Sequence, residues 1–310
     1  MDWISLTDFQ TQQDDTIARR QEGTGLWFVN SPEFTNWLHE PKQTLFCPGI
    51  PGAGKTMIAA IAVDHLLKTV RSNAIGVSYI YCNYKAQAHQ NTTTLLAAIL
   101  KQLVRNRPSI ADPVTCLYDL HATDNTRPSL DEIFSALQSV LTIYSTVYVV
   151  IDALDECPDK DGTRSQLLAK LRDLQRKTDL HLMATSRLIP DVVQEFNGMP
   201  MLEVRASDVD VQQFVAGQIY RLPKCIQRDN KLQGSVRDKI VEAVDGMYVN
   251  CTSLTSTVSF LITAPGFFLP VSILIRFSTK ILRGKSTLRW RSFPKAPKRL
   301  MRPMVKLFRG

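Results

Sequence analysis

The chain has 310 residues, 44% of them hydrophobic and 21% charged, which is material for a sizeable core and excludes a disordered or fibrous protein. The formal net charge of +8 is unevenly placed: Asp245 is the last acidic residue and 12 of the 37 basic residues follow it, leaving 25 against all 29 acidic ones before that point. The body is therefore mildly acidic, so no nucleic-acid partner is expected for it.

The N-terminal stretch, residues 1–22, reads as a polar helix ended by Glu22-Gly23-Thr24-Gly25. It lacks the basic start and apolar run of a secretory signal, which points to a cytoplasmic protein. Leu26-Trp27-Phe28-Val29 is a short apolar run, and Ser31-Pro32 then opens a helix with Phe34, Trp37 and Leu38 on one face. Thr44 to Cys47 reads as a strand running into a glycine loop, and from Thr56 the apolar spacing is helical. Gly76 to Cys82 is a second strand, followed by helical spacing from Leu95 to Leu103 and a capped helix over 129–142, with Ser129 and Glu132 forming a capping box. Val147 to Ile151 is apolar at every position, as a strand covered on both faces is. A helix over 163–177, strands at 180–184 and 201–204, and helices over 208–220 and 232–245 follow. The alternation predicts an α/β fold with a doubly wound, five-stranded parallel sheet.

The loop Gly49-Ile50-Pro51-Gly52-Ala53-Gly54-Lys55-Thr56 is the first chemical anchor. Bound phosphates need inward-pointing backbone N–H groups and a helix N-terminus behind them. The glycines allow that curvature, Lys55 brings a positive charge to the β- and γ-phosphates, and Thr56 offers a hydroxyl to Mg²⁺. Asp152, at the carboxyl end of the most apolar strand, is placed to reach the same Mg²⁺. Asp155 and Glu156 are candidates to polarise an attacking water, with capping of the next turn as their structural alternative. Thr185-Ser186-Arg187 follows another strand, where Arg187 is a candidate sensor of the γ-phosphate. The six cysteines, at 47, 82, 116, 157, 225 and 251, form no C-x-x-C pair and read as free thiols of a reducing compartment.

These stretches, with Arg19 to Phe28, Ser31 to Phe34, Ile151 to Glu156 and Ala206-Ser207-Asp208, resemble the NACHT class of signal-transduction ATPases with numerous domains, and more narrowly the nephrocystin-3-like fungal NACHT proteins. The resemblance spans residues 3–248 or so, and Ala153, a small residue after the Mg²⁺ aspartate, fits it. It implies ATP (GTP being open) with Mg²⁺, slow turnover, and nucleotide-controlled association with itself or with full-length NACHT relatives. It also implies that the 180–184 strand lies between the phosphate-loop strand and the Asp152 strand, and that Arg19 to Phe28 packs near the base. The expected layout is an N-terminal segment (1–40), the NTPase domain (41–206), the start of a helical lid (207–247) and a tail (248–310). A nucleotide-binding scaffold or inhibitory fragment with negligible hydrolysis is the alternative function; a small-molecule kinase fits the acidic cluster poorly.

After Tyr248 the resemblance stops, and Gly246 to Ile275 carries no charge. Its most apolar part, residues 258–275, would span about 27 Å as a helix, enough to reach across a membrane, but Pro265, Gly266 and Pro270 interrupt it. Unspliced or frame-shifted sequence is the favoured origin of this stretch, with a membrane anchor and a hydrophobic hairpin as alternatives.

Overall fold

The computed structural model describes residues 3–244 other than 71, 124, 125, 160 and 223. The expected tail, 248–310, and the membrane alternative at 258–275 lie outside the described residues. Among those described, no helix is long and apolar enough to cross a membrane.

The N-terminal helix α1 (Gln10–Ala18) is shorter than the polar pattern predicts and buries Gln13, whose amide donates to the Ala60 carbonyl at 3.0 Å and accepts from the Tyr81 hydroxyl. A polar residue thus docks this helix, which is why no apolar stripe marks it. Gly25, at φ 73°, turns the chain into α2 (Leu26–Val29), so the apolar run is a single helical turn. That positive φ favours glycine here, and a Cβ would also crowd the tip of Ile61, at 2.4 Å from its Cδ1. Ser31 caps α3 (Pro32–His39) by accepting from the Phe34 N–H at 3.1 Å, with Pro32 in the first turn, and Phe34 and Trp37 are buried beneath it.

β1 (Thr44–Pro48) leads through the glycine loop into α4 (Lys55–Thr69), whose Ala59, Ala60 and Ala62 let it lie against both the sheet and the N-terminal helices. β2 (Ile75–Tyr81) is followed by α5 (Thr92–Asn106), α6 (Asp112–Ala122) and α7 (Leu130–Leu141), the last with the expected Ser129–Glu132 capping box. β3 (Thr146–Asp152) and α8 (Thr163–Lys177) precede β4 (Leu180–Ser186), every residue of which is buried, and α9 (Pro190–Glu195). The segment ends with α10 (Asp208–Gln218), α11 (Lys224–Gln227) and α12 (Asn230–Val244), which pack on one another.

All strand pairs are parallel and the order is β1-β4-β3-β2, so the 180–184 strand lies where the resemblance places it. Four strands form the sheet, not the expected five. Residues 201–204 do run alongside β1: the Phe46 N–H donates to Pro200, and Leu202 and Val204 N–H donate to Phe46 and Pro48 at 2.9 and 2.7 Å. Only an isolated bridge between Phe46 and Met201 results. The next donor along β1 belongs to Pro48, which has no N–H, so the ladder cannot propagate.

Candidate functional site: the cleft at the carboxyl edge of the sheet

β1, β3 and β4 all end at one edge, and the residues singled out above converge there. The glycine loop curls over the start of α4 with Gly52 at φ 79° and Gly54 at φ 89°, conformations that favour glycine at both positions. Gly49 is held by packing instead, since a Cβ there would come within 2.5 Å of the Val204 carbonyl. The Lys55 ammonium donates to the Gly49 and Ile50 carbonyls, both at 2.9 Å. Burial pushes its pKa down, opposed by the nearby charges of Asp155 and Asp152.

Asp152 is only 3% exposed. Its Oδ1 accepts from the Thr185 hydroxyl at 2.7 Å, and the Thr56 hydroxyl lies in the same cleft. Burial raises its pKa above the usual carboxylate value, and those two hydroxyls with Lys55 only partly offset this. Thr185 also accepts from the Ala153 N–H at 3.0 Å. One side chain of β4 thus fixes both the Mg²⁺ candidate and the turn after it, where Ala153 sits in the left-handed region at φ 53°. Thr185 has no signature of its own; it reaches Asp152 because Ile151 and Ala184 are register partners.

Asp155 accepts from the Arg187 backbone N–H at 3.0 Å and from its Nε at 2.5 Å. Its side chain is 2% exposed against 49% for Arg187. Burial would raise the Asp155 pKa, but the Arg187 hydrogen bonds hold it below the usual range. Glu156 faces the next loop, where its Oε2 accepts from the Tyr84 N–H at 3.1 Å.

Lys55, Thr56, Asp152, Asp155, Glu156 and Arg187 line one cleft of about 760 Å³. That volume is within the range of small-molecule sites. Its other wall comes from Thr16, Arg19, Gln21 and Thr24 of the N-terminal arm and Phe214 of α10. Asp210 ties these together: it is 3% exposed and accepts from the Gly25 N–H and the Trp27 indole, each at 3.0 Å.

The sequence of this region decides the family. Residues 23–187, more than half of the chain, match the family described as Nephrocystin 3, N-terminal. The chain belongs to the nephrocystin 3 N-terminal family. The matched span runs from just before Gly25 through the phosphate loop and Asp152 and stops at Arg187. A curated relative, the vegetative incompatibility protein HET-E-1 of Podospora anserina, is 24% identical over 236 residues, covering 72% of this chain and 17% of its own length. This nephrocystin-3-type chain thus spans about a sixth of that relative. Among solved structures, domain III of the replication initiation protein DnaA of Thermotoga maritima covers 87% of this chain and 98% of its own, at TM-score 0.43 and 13% identity. The Walker-type ATPase paby2304 of Pyrococcus abyssi covers 81% and 71%, at TM-score 0.46 and 13% identity.

The buried carboxylate makes a stability prediction. Because burial raises the folded-state pKa of Asp152, its ionised form destabilises the ligand-free fold above that pKa, and the penalty disappears as pH falls through it. Asp152→Asn is therefore expected to raise the Tm of the ligand-free protein at neutral pH, with the difference shrinking in acid. Thermal melts at several pH values measure it; a Tm that falls at neutral pH would contradict the account.

Proposed function

We propose that this cleft binds ATP with Mg²⁺ and that the chain is a nucleotide-controlled signalling module with slow hydrolysis. The supporting observation is the meeting of Lys55, Thr56 and Asp152 in one cleft, the Asp152 carboxylate being only 3% exposed. The donor set fits the ion: a hydroxyl and a carboxylate are hard oxygen ligands suited to Mg²⁺, and a buried carboxylate with only partial compensation gains from a cation. Thr56 and Asp152 would hold the Mg²⁺, which supplies neutralisation of phosphate charge when bound.

In this reading the loop N–H groups hold the phosphates, Lys55 turns from the Gly49 and Ile50 carbonyls to the phosphate oxygens, and Asp152 and Thr56 hold the Mg²⁺. Glu156 orients the attacking water, and Asp155 positions Arg187 at the γ-phosphate. Thr16, Arg19, Gln21, Thr24 and Phe214 would face the base and ribose. HET-E-1 is a vegetative incompatibility protein; that relationship supports placing this chain in the same kind of signalling, associating with itself or with larger NACHT relatives. Cys47, Cys82, Cys116 and Cys157 are free thiols, which fits a reducing, cytoplasmic compartment.

A second reading has a specific observation behind it. Asp155 is already engaged twice by Arg187, and Glu156 by the Tyr84 N–H, so both acids have structural work. A module that binds nucleotide without hydrolysing it would look the same, and single-turnover hydrolysis separates the two.

Binding itself is tested at Lys55. Charge-assisted contacts to phosphate are the strong class, so Lys55→Ala is expected to weaken Mg·ATP binding tenfold or more, about 1.5–3 kcal/mol. Calorimetric titration reads this, with GTP in parallel to define the base; equal affinity in variant and wild type would remove the assignment.

A further inference from the structure

The N-terminal arm and α10 meet along one seam beside the cleft. Positions 210, 213, 214 and 217 share a face of α10, and three of them approach the arm in antiparallel order. Asp210 Oδ2 accepts from both the Gly25 N–H and the Trp27 indole, each at 3.0 Å. A Cβ on Gly23 would lie 3.1 Å from Gln213 Oε1, and one on Gly217 would lie 2.0 Å from Gln21 Oε1. The fourth residue of that face, half-buried Phe214, lines the cleft.

Each side of the seam is internally braced. Ser207 caps α10 by accepting from the Asp210 N–H at 3.1 Å, which fixes the backbone that carries this carboxylate. In the arm, the Arg20 guanidinium donates twice to the Thr24 carbonyl, at 3.0 and 2.6 Å, and the Thr24 hydroxyl donates to the Gln21 carbonyl at 2.7 Å. That folded turn carries Gln21 and Thr24, which wall the cleft. Behind it, Gly25 faces Ile58 and Ile61 of α4, the helix that begins at Lys55. The place of the wall therefore depends on how the end of the turn is held, and a carboxylate that is 3% exposed holds it with two bonds. An apolar side chain could fill the same space but could not register the arm at hydrogen-bond distance.

We propose that Asp210 is a positioning residue for the cleft. It registers the arm against α10, so that Gln21, Thr24 and Phe214 grip the nucleoside end of a bound nucleotide, while the loop holds the phosphate end independently. This rests on the reading of the cleft as a nucleotide site. Loss of the Asp210 bonds lets arm and helix part, which weakens a ligand that reaches the wall and spares one that fills only the loop. By linkage, a ligand spanning both parts draws the seam together.

The test uses the full chain and two probes, Mg·ATP and Mg·tripolyphosphate, titrated by calorimetry. Tripolyphosphate keeps the phosphate chain and lacks base and ribose. Asp210→Ala is expected to weaken ATP about tenfold and tripolyphosphate by less than about threefold. Asp210→Asn keeps an oxygen able to accept both bonds, and should bind ATP within about threefold of wild type. Should Asp210→Ala fail to fold, Trp27→Phe removes one donor and keeps a ring; a loss of about three- to tenfold is expected, again confined to ATP. Unchanged ATP affinity in these variants, equal losses for both probes, or no rescue by asparagine would overturn the proposal. So would wild type that binds ATP no more tightly than tripolyphosphate, a result that leaves the phosphate loop as a site. Wild type that binds neither probe would sink the nucleotide reading and the positioning role together. Hydrogen exchange at the Gly25 amide, slow in wild type and fast in Asp210→Ala, would then show that the seam alone survives.

Discussion

Glu156→Gln is expected to slow ATP turnover about 100-fold, the lower end of the range for losing a general base, while leaving Mg·ATP affinity within roughly threefold. Two observations single this acid out. Asp155 spends both carboxylate oxygens on the backbone N–H and Nε of Arg187. The Glu156 carboxylate accepts one hydrogen bond, from the Tyr84 N–H to Oε2, and lines the same cleft as Lys55 and Thr56. Glutamine is nearly isosteric and can still accept from Tyr84, so the turn should hold its shape while the basic group is lost. Asp155→Ala should act differently, releasing Arg187 and loosening the turn. Pre-steady-state turnover beside equilibrium binding distinguishes these effects, and unchanged turnover in Glu156→Gln would make Glu156 a structural ligand of the Tyr84 loop.

Trp37→Ala carries the largest expected cost in stability, about 3–5 kcal/mol for a buried tryptophan. Trp37 is 1% exposed, its indole N–H donates to the Leu182 carbonyl at 3.0 Å, and its own carbonyl accepts from His181 Nδ1 at 2.6 Å. Its ring also meets Tyr148 edge-on at 5.3 Å. One residue of α3 therefore holds β3 and β4 together from outside the sheet. Deleting the side chain leaves a cavity and takes the indole donor from the Leu182 carbonyl, while the backbone bond to His181 remains. Denaturant unfolding measures the loss; a change under about 1 kcal/mol would show that the N-terminal segment does not fold cooperatively with the sheet.

What the sequence could and could not convey follows from the range of each interaction. The phosphate loop, the apolar run of β3, the Ser31 cap and the Ser129–Glu132 box are local patterns and were legible as such. Asp210 and the bond from Thr185 to Asp152 were not, because each acts across the fold: Thr185, singled out only as part of the triplet with Arg187, reaches Asp152 through strand register, and Asp210 reaches Gly25 and Trp27 through the packing of α10. The fifth strand failed for a reason that was present in the sequence: Pro48 lacks the donor that a continued ladder requires. Helices α6 and α9, which begin at Asp112 and at Pro190, form in stretches where no element was expected.

The central claim is that the loop and the β3 carboxylate form one Mg·nucleotide site. A double-mutant cycle on Thr56→Ala and Asp152→Asn, read as the Mg²⁺ dependence of ATP affinity, tests it most directly. The account predicts that either variant removes most of the Mg²⁺ dependence and that the double variant loses no more than the single ones. Additive losses, or Mg²⁺ dependence retained in full by Asp152→Asn, would show that the two groups do not share an ion and would contradict it.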